Sequence, residues 1–378
     1  MLYLLRPGEY TIKTPHIRKQ MEERLIKNLR DLFNKNDVPL YNIYIEPGRI
    51  FIESTEKAKE ILKFLYGIKS FSPVHKIEFK DIEDLSIKSY EFFKDKVKDK
   101  EFAVRVHRKG KHSFTSLDVA RKVGELLLND AKKVNLENPE VECFIEIRDN
   151  VAYLFTEIIE GPGGLPVGVE GRALALYSSG FDSIAASYLM LKRGFELDFL
   201  FFDKGDKELL DNVIESLKFM KKYFLQGYQP ILYVVKYKDT LSFIAKEAKE
   251  YTCILCKRTM LKVAERIVRL KGYLGIITGD SLGQVASQTG KNLFIISEGI
   301  KVPVYRPLIG FDKDESIKIV TKVGMFDFAK KESKKVCPFL PKEVVARGKL
   351  EVAREIENRI NLNKIVNKLL KNIEIIRI

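Results

Sequence analysis

Histidine is scarce and unevenly placed: the 378-residue chain has four, His16, His75, His107 and His112, all before position 113. The last two thirds therefore have no imidazole to draw on, which excludes Ser-His-Asp hydrolysis and His-ligated zinc catalysis there. Tryptophan is absent and cysteine numbers only four, too few for a disulfide framework at this length. In a reducing compartment their spacing points to metal or sulfur chemistry. No apolar run reaches the roughly 18 residues of a membrane span. The N-terminal MLYLLRPGEY is interrupted by Arg6, Pro7 and Gly8 before a secretory core could form. A soluble, cytoplasmic protein with no membrane partner is the expectation.

Positive charge is in excess, with 66 Lys+Arg against 52 Asp+Glu, net +14 and a pI near 9.3. A polyanionic partner accounts for such a balance. At 45% hydrophobic and 31% charged the composition is that of a folded globular chain, and the length suggests two or three domains.

Residues 10–33 carry Ile17, Met21, Leu25, Leu29, Leu32 and Phe33 at helical spacing after Thr14-Pro15. Alternating stretches 41–45 and 49–53 flank the Pro47-Gly48 turn, and a second helix follows Ser54-Thr55. The order strand, helix, strand, strand, helix, strand predicts a ferredoxin-like α+β domain over 1–79. A second α+β unit spans 80–165, with a helix over 87–97, a strand over 102–107 and a helix from Ser116 as cap. Its basic turn, Arg108-Lys109-Gly110-Lys111, together with Arg105, forms a candidate phosphate-tracking patch beside Phe114. Gly161-Pro-Gly-Gly-Leu-Pro-Val-Gly168 marks a domain boundary. From 172 to 378 strands and helices alternate, which predicts an open, mostly parallel sheet with ligands at the carboxyl ends of its strands. One helix is expected through 240–270, and an amphipathic helical tail over 341–372 supplies packing or a homodimer surface.

After the apolar strand 173–177 comes Ser178-Ser-Gly-Phe-Asp-Ser183, opening a helix. Small and hydroxyl residues there let backbone N–H groups converge on an anion. It is neither a Walker loop nor a dinucleotide turn, since Gly-x-x-x-x-Gly-Lys and Gly-x-Gly-x-x-Gly do not occur. The loop resembles the SGGxDS loop of the PP-loop pyrophosphatases, with Ser179 where that family usually has glycine. With Thr278-Gly-Asp-Ser-Leu-Gly-Gln-Val-Ala-Ser-Gln-Thr289 and the glycine-proline linker, nearly the whole chain resembles the tRNA 4-thiouridine synthases (tRNA uracil 4-sulfurtransferases). That resemblance implies an N-terminal ferredoxin-like domain, a THUMP RNA-binding domain and a PP-loop domain. It implies ATP and Mg²⁺ as cofactors. Nucleotide contacts would come from Leu176, Tyr177, Ser178, Gly180, Ser183, Phe201, Phe202, Arg258, Gly279 and Gln288, while Asp182 would order the turn or help hold Mg²⁺.

The resemblance also gives the cysteines roles. Cys337 matches the position that carries or resolves sulfur, working in bacterial members with a rhodanese domain, and none follows here. Cys253-x-x-Cys256 is a feature of archaeal-type members, so Cys253, Cys256 and Cys337 are expected to ligate an iron–sulfur cluster. Zinc would want a fourth ligand, and a redox disulfide between Cys253 and Cys256 is the other reading. Cys143 alternates with core positions and reads as core. The implied reaction adenylates uridine 8 of tRNA, and sulfur from sulfide or a persulfide carrier then replaces O4. The first 170 residues are expected to hold the tRNA and so to explain the +14. The rivals are another PP-loop tRNA-modifying enzyme, forming a 2-thio or amide product, and a catalytically silent RNA-binding protein.

Overall fold

The computed structural model describes residues 1–378, which form two compact units. The first comprises Met1–Ile12, Asn36–Phe64 and Ile68–Gly163; the second comprises Lys13–Lys35, Leu65–Gly67 and Gly164–Ile378.

Along the first stretch of chain run β1 (Leu2–Pro7), α1 (Pro15–Lys35), β2 (Leu40–Glu46), β3 (Arg49–Ser54), α2 (Ala58–Leu62), β4 (Ile68–Glu78), α3 (Ile82–Val97), β5 (Glu101–Lys109), α4 (Ser116–Leu127), β6 (Lys133–Val134), β7 (Val141–Arg148), β8 (Val151–Phe155) and β9 (Ile159–Glu160). All nine strands of the first unit join one sheet, ordered β2-β3-β1-β4-β8-β7-β5-β6 with β9 on β4. The 11-residue β4 pairs with β1 through Ile68–Val74 and with β8 through His75–Glu78. The sheet is therefore continuous across position 79. Cys143, Ile145 and Ile147 alternate inward from β7 onto α3 and α4, and burial pushes the Cys143 thiol up to about 12. The cap of α4 is Thr115, one residue before the expected Ser116, in a capping box with Asp118.

Helix α1 counts with the second unit. Its Arg24 and Asn28 both donate to the Val167 carbonyl, at 2.7 and 3.0 Å, and Asp31 accepts from the Gly227 amide at 2.7 Å.

The second unit continues with β10 (Arg172–Leu176), α5 (Phe181–Lys192), β11 (Glu196–Asp203), α6 (Lys207–Tyr223), β12 (Ile231–Lys236), α7 (Lys238–Ala248), α8 (Thr252–Lys271), β13 (Ile276–Ile277), α9 (Gly290–Ser297), β14 (Val304–Tyr305), α10 (Lys313–Lys322), α11 (Phe326–Ser333), α12 (Leu350–Arg359), α13 (Leu362–Lys371) and β15 (Ile373–Arg377). Its sheet runs β14-β13-β10-β11-β12-β15, parallel except for β15, which pairs antiparallel with β12. From β10 the chain builds outward through β11 and β12, then returns to the other side of β10 for β13 and β14. The switch point therefore lies at the carboxyl end of β10, where Ser178–Ser183 follows.

Two local expectations are corrected. The helix over 240–270 is two, broken at Lys249, which has φ +47°. The tail likewise breaks at Asn361, φ +49°, whose side chain caps α13. The apolar positions of the tail, including Ala353, Ile356, Leu362, Val366 and Leu369, are buried in the core of their own unit, so this face serves internal packing.

Candidate active site

The loop after β10 is shaped by its own hydroxyls. Ser183 Oγ donates to the Gly180 carbonyl at 3.0 Å and accepts from the Ser178 amide at 3.3 Å. Ser179 stands in the left-handed region, φ +62°, a conformation costly for any residue with a Cβ. It is fully buried, donating to the Ser178 carbonyl at 2.5 Å and accepting from Asn212 Nδ2 at 2.8 Å. Gly180 caps α5, whose first-turn N–H groups have no intrahelical partner.

A pocket opens around this helix start. Its apolar lining comes from Leu176, Leu200, Phe201, Phe202, Met260, Leu261 and Ile296; Tyr177, Ser178, Asp182, Ser183, Lys204, Lys257, Thr278, Gly279, Asp280, Gln288 and Glu332 supply polar groups and backbone. An apolar wall and anion-binding backbone with nearby cations suit a purine base and its phosphates. Gly279 is required by contact: a Cβ there would stand 2.8 Å from the Asp182 carbonyl carbon. Gln288 Oε1 is buried without a hydrogen-bond partner, an acceptor available to a bound molecule.

Of the ten expected nucleotide contacts, eight line the pocket and Gly180 lies at the start of α5, while Arg258 does not reach it. Its side chain, 2% exposed, donates to the Glu357 carboxylate at 2.6 Å, to the Ile295 carbonyl and to Glu298 at 3.4 Å. With both fork nitrogens committed to these groups, the expectation of a phosphate contact is corrected. The cations on the pocket wall are Lys204 and the residue preceding Arg258, Lys257.

Sequence reasoning missed the group that organises that wall, although Asp280 lies inside the TGDS segment. Its buried carboxylate accepts from Lys257 Nζ and Thr278 Oγ1, each at 2.8 Å, and from Gln288 Nε2 at 3.4 Å, with Arg306 3.4 Å away. Burial alone would raise this carboxyl; Lys257, Thr278 and Arg306 outweigh it and hold it below the usual Asp range. Asp182 accepts from Lys313 at 2.9 Å on both oxygens. Glu332, another residue without a motif to announce it, projects from α11 onto the loop. Burial pushes its carboxyl up, against the lowering effect of Ser178, Lys204 and Lys313.

Cys253 and Cys256 stand on the first turns of α8, three residues apart and so on one face. Cys337 lies in the loop after α11, packed against the same core as Cys256. All three are free thiols. Burial pushes Cys256 up to about 11, Cys337 and Cys253 adding to it and Lys204 opposing. Cys253 is likewise raised by burial and by Cys337. The thiols thus feel one another and share Lys204 with the pocket. They do not form a ready ligand set: no group of three or more His, Cys, Asp or Glu side chains is arranged to hold a metal ion.

In the first unit, Arg105 is engaged by Glu142 at 3.1 Å and the Leu136 carbonyl at 2.6 Å. Arg108 donates to the Gly110 carbonyl at 3.3 Å and contacts the His112 ring at 3.0 Å. Lys109 reaches the Pro47 carbonyl at 3.4 Å, and Lys111 is exposed. The basic excess is not here: residues 1–170 hold 29 Lys+Arg against 28 Asp+Glu, the remainder 37 against 24.

Residues 168–362 match the family described as Thiamine biosynthesis protein (ThiI), residues 79–157 the THUMP domain and residues 2–72 the ThiI ferredoxin-like domain. Proteins named probable tRNA sulfurtransferase from Saccharolobus islandicus and Saccharolobus solfataricus are 40% and 39% identical, with both chains covered over 100% of their length. Among solved structures, a 4-thiouridine synthetase in complex with RNA and bound ATP shares 27% identity at a TM-score of 0.86, covering 100% of this chain and 99% of that one. A protein from Pyrococcus horikoshii shares 26% at 0.66, covering 85% and 99%. With these matches spanning the full length, the chain belongs to the ThiI family.

Proposed function

We propose that this protein is an ATP-dependent tRNA sulfurtransferase that converts uridine 8 of tRNA to 4-thiouridine. The observation that carries the reading is the second unit's pocket, where a phosphate loop, an apolar wall and the cations Lys204 and Lys257 line one cavity. Relatives named tRNA sulfurtransferase and a structural neighbour that binds RNA and ATP support it.

In the first step uracil O4 attacks the α-phosphate. The O4–P bond forms, the bond to the β-phosphate breaks, and pyrophosphate leaves. Sulfur then bonds to C4 while the C4–O4 bond breaks and the oxygen departs in AMP; hydrosulfide gives the product directly, whereas a persulfide first gives a C4–S–S–carrier disulfide, which the Cys337 thiol cleaves to release 4-thiouridine, forming a disulfide with the carrier that an external thiol reduces. AMP is a good leaving group, so neither step depends on a histidine base. Phe201, Phe202 and Leu176 would hold the base. The Ser178–Ser183 loop would hold the β- and γ-phosphates, with Lys257, kept in place by Asp280, adding charge. Asp182 is the carboxylate that would hold Mg²⁺, which when bound neutralises phosphate charge. Cys337 is the sulfur-handling thiol, with Cys253 and Cys256 beside it.

Cys253, Cys256 and Cys337 are the residues that would hold an iron–sulfur cluster, although they are not arranged as a ligand set in this structure. Anaerobic purification should yield iron and labile sulfide that disappear in a Cys253→Ser, Cys256→Ser double variant. The first unit, with Lys109 and Lys111, contributes to tRNA binding, and the protein works in the cytoplasm. Incubation with tRNA, ATP and sulfide should release pyrophosphate and form 4-thiouridine. A 2-thio or amide product would assign a different PP-loop chemistry, and no pyrophosphate would reduce the protein to an RNA-binding role.

A further inference from the structure

The start of α5 already carries an anion. Glu332 sits so close over the phosphate loop that a Cβ on Gly180 would lie 2.5 Å from its Oε2 and 2.8 Å from its Cδ. The carboxylate lines the pocket beside Ser178, Asp182 and Lys204. A helix start with small residues before it binds carboxylate and phosphate by the same means. The β-phosphate of ATP would need the space that this carboxylate fills.

The helix bearing Glu332 is fastened to the loop at two further points. Asn212 Nδ2 donates both to Ser179 Oγ at 2.8 Å and to the Phe328 carbonyl at 3.0 Å. The Phe181 ring, first in α5, packs edge-on against Phe326, first in α11, at 5.5 Å between centroids. Five residues beyond Glu332, the same segment presents Cys337.

We infer that Glu332 is a built-in competitor for the phosphate cradle, displaced when ATP enters, and that its displacement shifts the segment carrying Cys337. Nucleotide occupancy and placement of the sulfur-handling thiol are thereby one event. The inference rests on the nucleotide reading proposed above. Asp182 adds repulsion to the carboxylate, while Lys204 and Lys313 oppose it, so removing the charge has a moderate effect.

The test is calorimetric binding of a β,γ-imido ATP analogue, and of AMP, to the full-length wild type and Glu332→Gln in Mg²⁺. The analogue should bind the variant about tenfold more tightly, while AMP, which lacks the competing phosphates, should bind both alike. Glu332→Asp, which draws the carboxylate back by one methylene, should fall between. Iodoacetamide labelling of Cys337, followed by peptide mass analysis, should change rate with the analogue in wild type. In Glu332→Gln it should already proceed at the nucleotide-bound rate. Analogue binding that is unchanged or weakened by Glu332→Gln overturns the inference, as does a Cys337 rate that responds equally in both proteins. A wild type that binds neither compound overturns the nucleotide reading itself, and this inference with it.

Discussion

Lys257 and Arg258 are adjacent on α8, yet one faces the pocket and the other is spent inside the unit. A dipeptide of two cations carries no signal for which will turn inward. That choice is made by Glu298 and Glu357, 40 and 99 residues away in the chain. Arg258→Met should cost about 2 kcal/mol in urea unfolding, since it leaves the partly buried Glu357 and Glu298 with Lys262 and Arg354 alone. The folded fraction should keep its ATP affinity, while Lys257→Ala, which leaves the buried Asp280 carboxylate to Thr278 and Arg306, should cost about 1 to 2 kcal/mol and weaken ATP binding about tenfold. Ser179, read from sequence as a departure from glycine, does adopt the backbone that glycine favours. Ser179→Gly should therefore be more stable than Ser179→Ala by about 1 to 2 kcal/mol in the same assay. Asp280 sets a pH dependence. Because its folded-state carboxyl titrates below the ordinary Asp value of 3.8, its stabilisation is complete above that value and is lost as pH falls through the lower, folded one. Asp280→Asn should destabilise by about 3 kcal/mol at pH 7, and its gap to wild type should narrow in urea titrations as pH falls below the ordinary Asp value of 3.8.

Long periodic elements were legible in the sequence. α1, α5 and the central strand β10 fall where apolar spacing put them, because each buries apolar residues at its own period. Helix breaks were not: Lys249, φ +47°, interrupts a helix without glycine or proline to mark it. Strand β15 escaped notice because Ile373, Ile375 and Ile376 read equally well as the end of a helical tail. Only its five-residue pairing with the edge strand β12 makes it a strand. Truncation after Asn372 should bare that edge, lower stability by about 3 to 5 kcal/mol through removal of the ladder and promote self-association. Thermal melting with light scattering measures both.

For the molecule as a whole, composition indicated a polyanion but not where it is met. The first 170 residues are close to neutral, so the field that attracts RNA arises mainly from the part of the chain that also holds the pocket. Exposed Lys330, Lys331 and Lys334 precede Cys337 on the segment that would meet the target base. Replacing all three with glutamine should reduce the slope of log affinity against log salt for tRNA by about one for each phosphate no longer neutralised. The phosphate loop, the TGDS segment and the three thiols were legible because each is a compact motif. The surroundings of Asp280, Glu332 and Arg258 were not, because tertiary packing alone creates them. That the pocket activates uridine while Cys337 handles the sulfur is tested most directly by giving wild type and Cys337→Ser tRNA, ATP and a persulfide donor, and measuring pyrophosphate and 4-thiouridine together. The variant should still release pyrophosphate and form no 4-thiouridine; full 4-thiouridine from Cys337→Ser would overturn this division of labour.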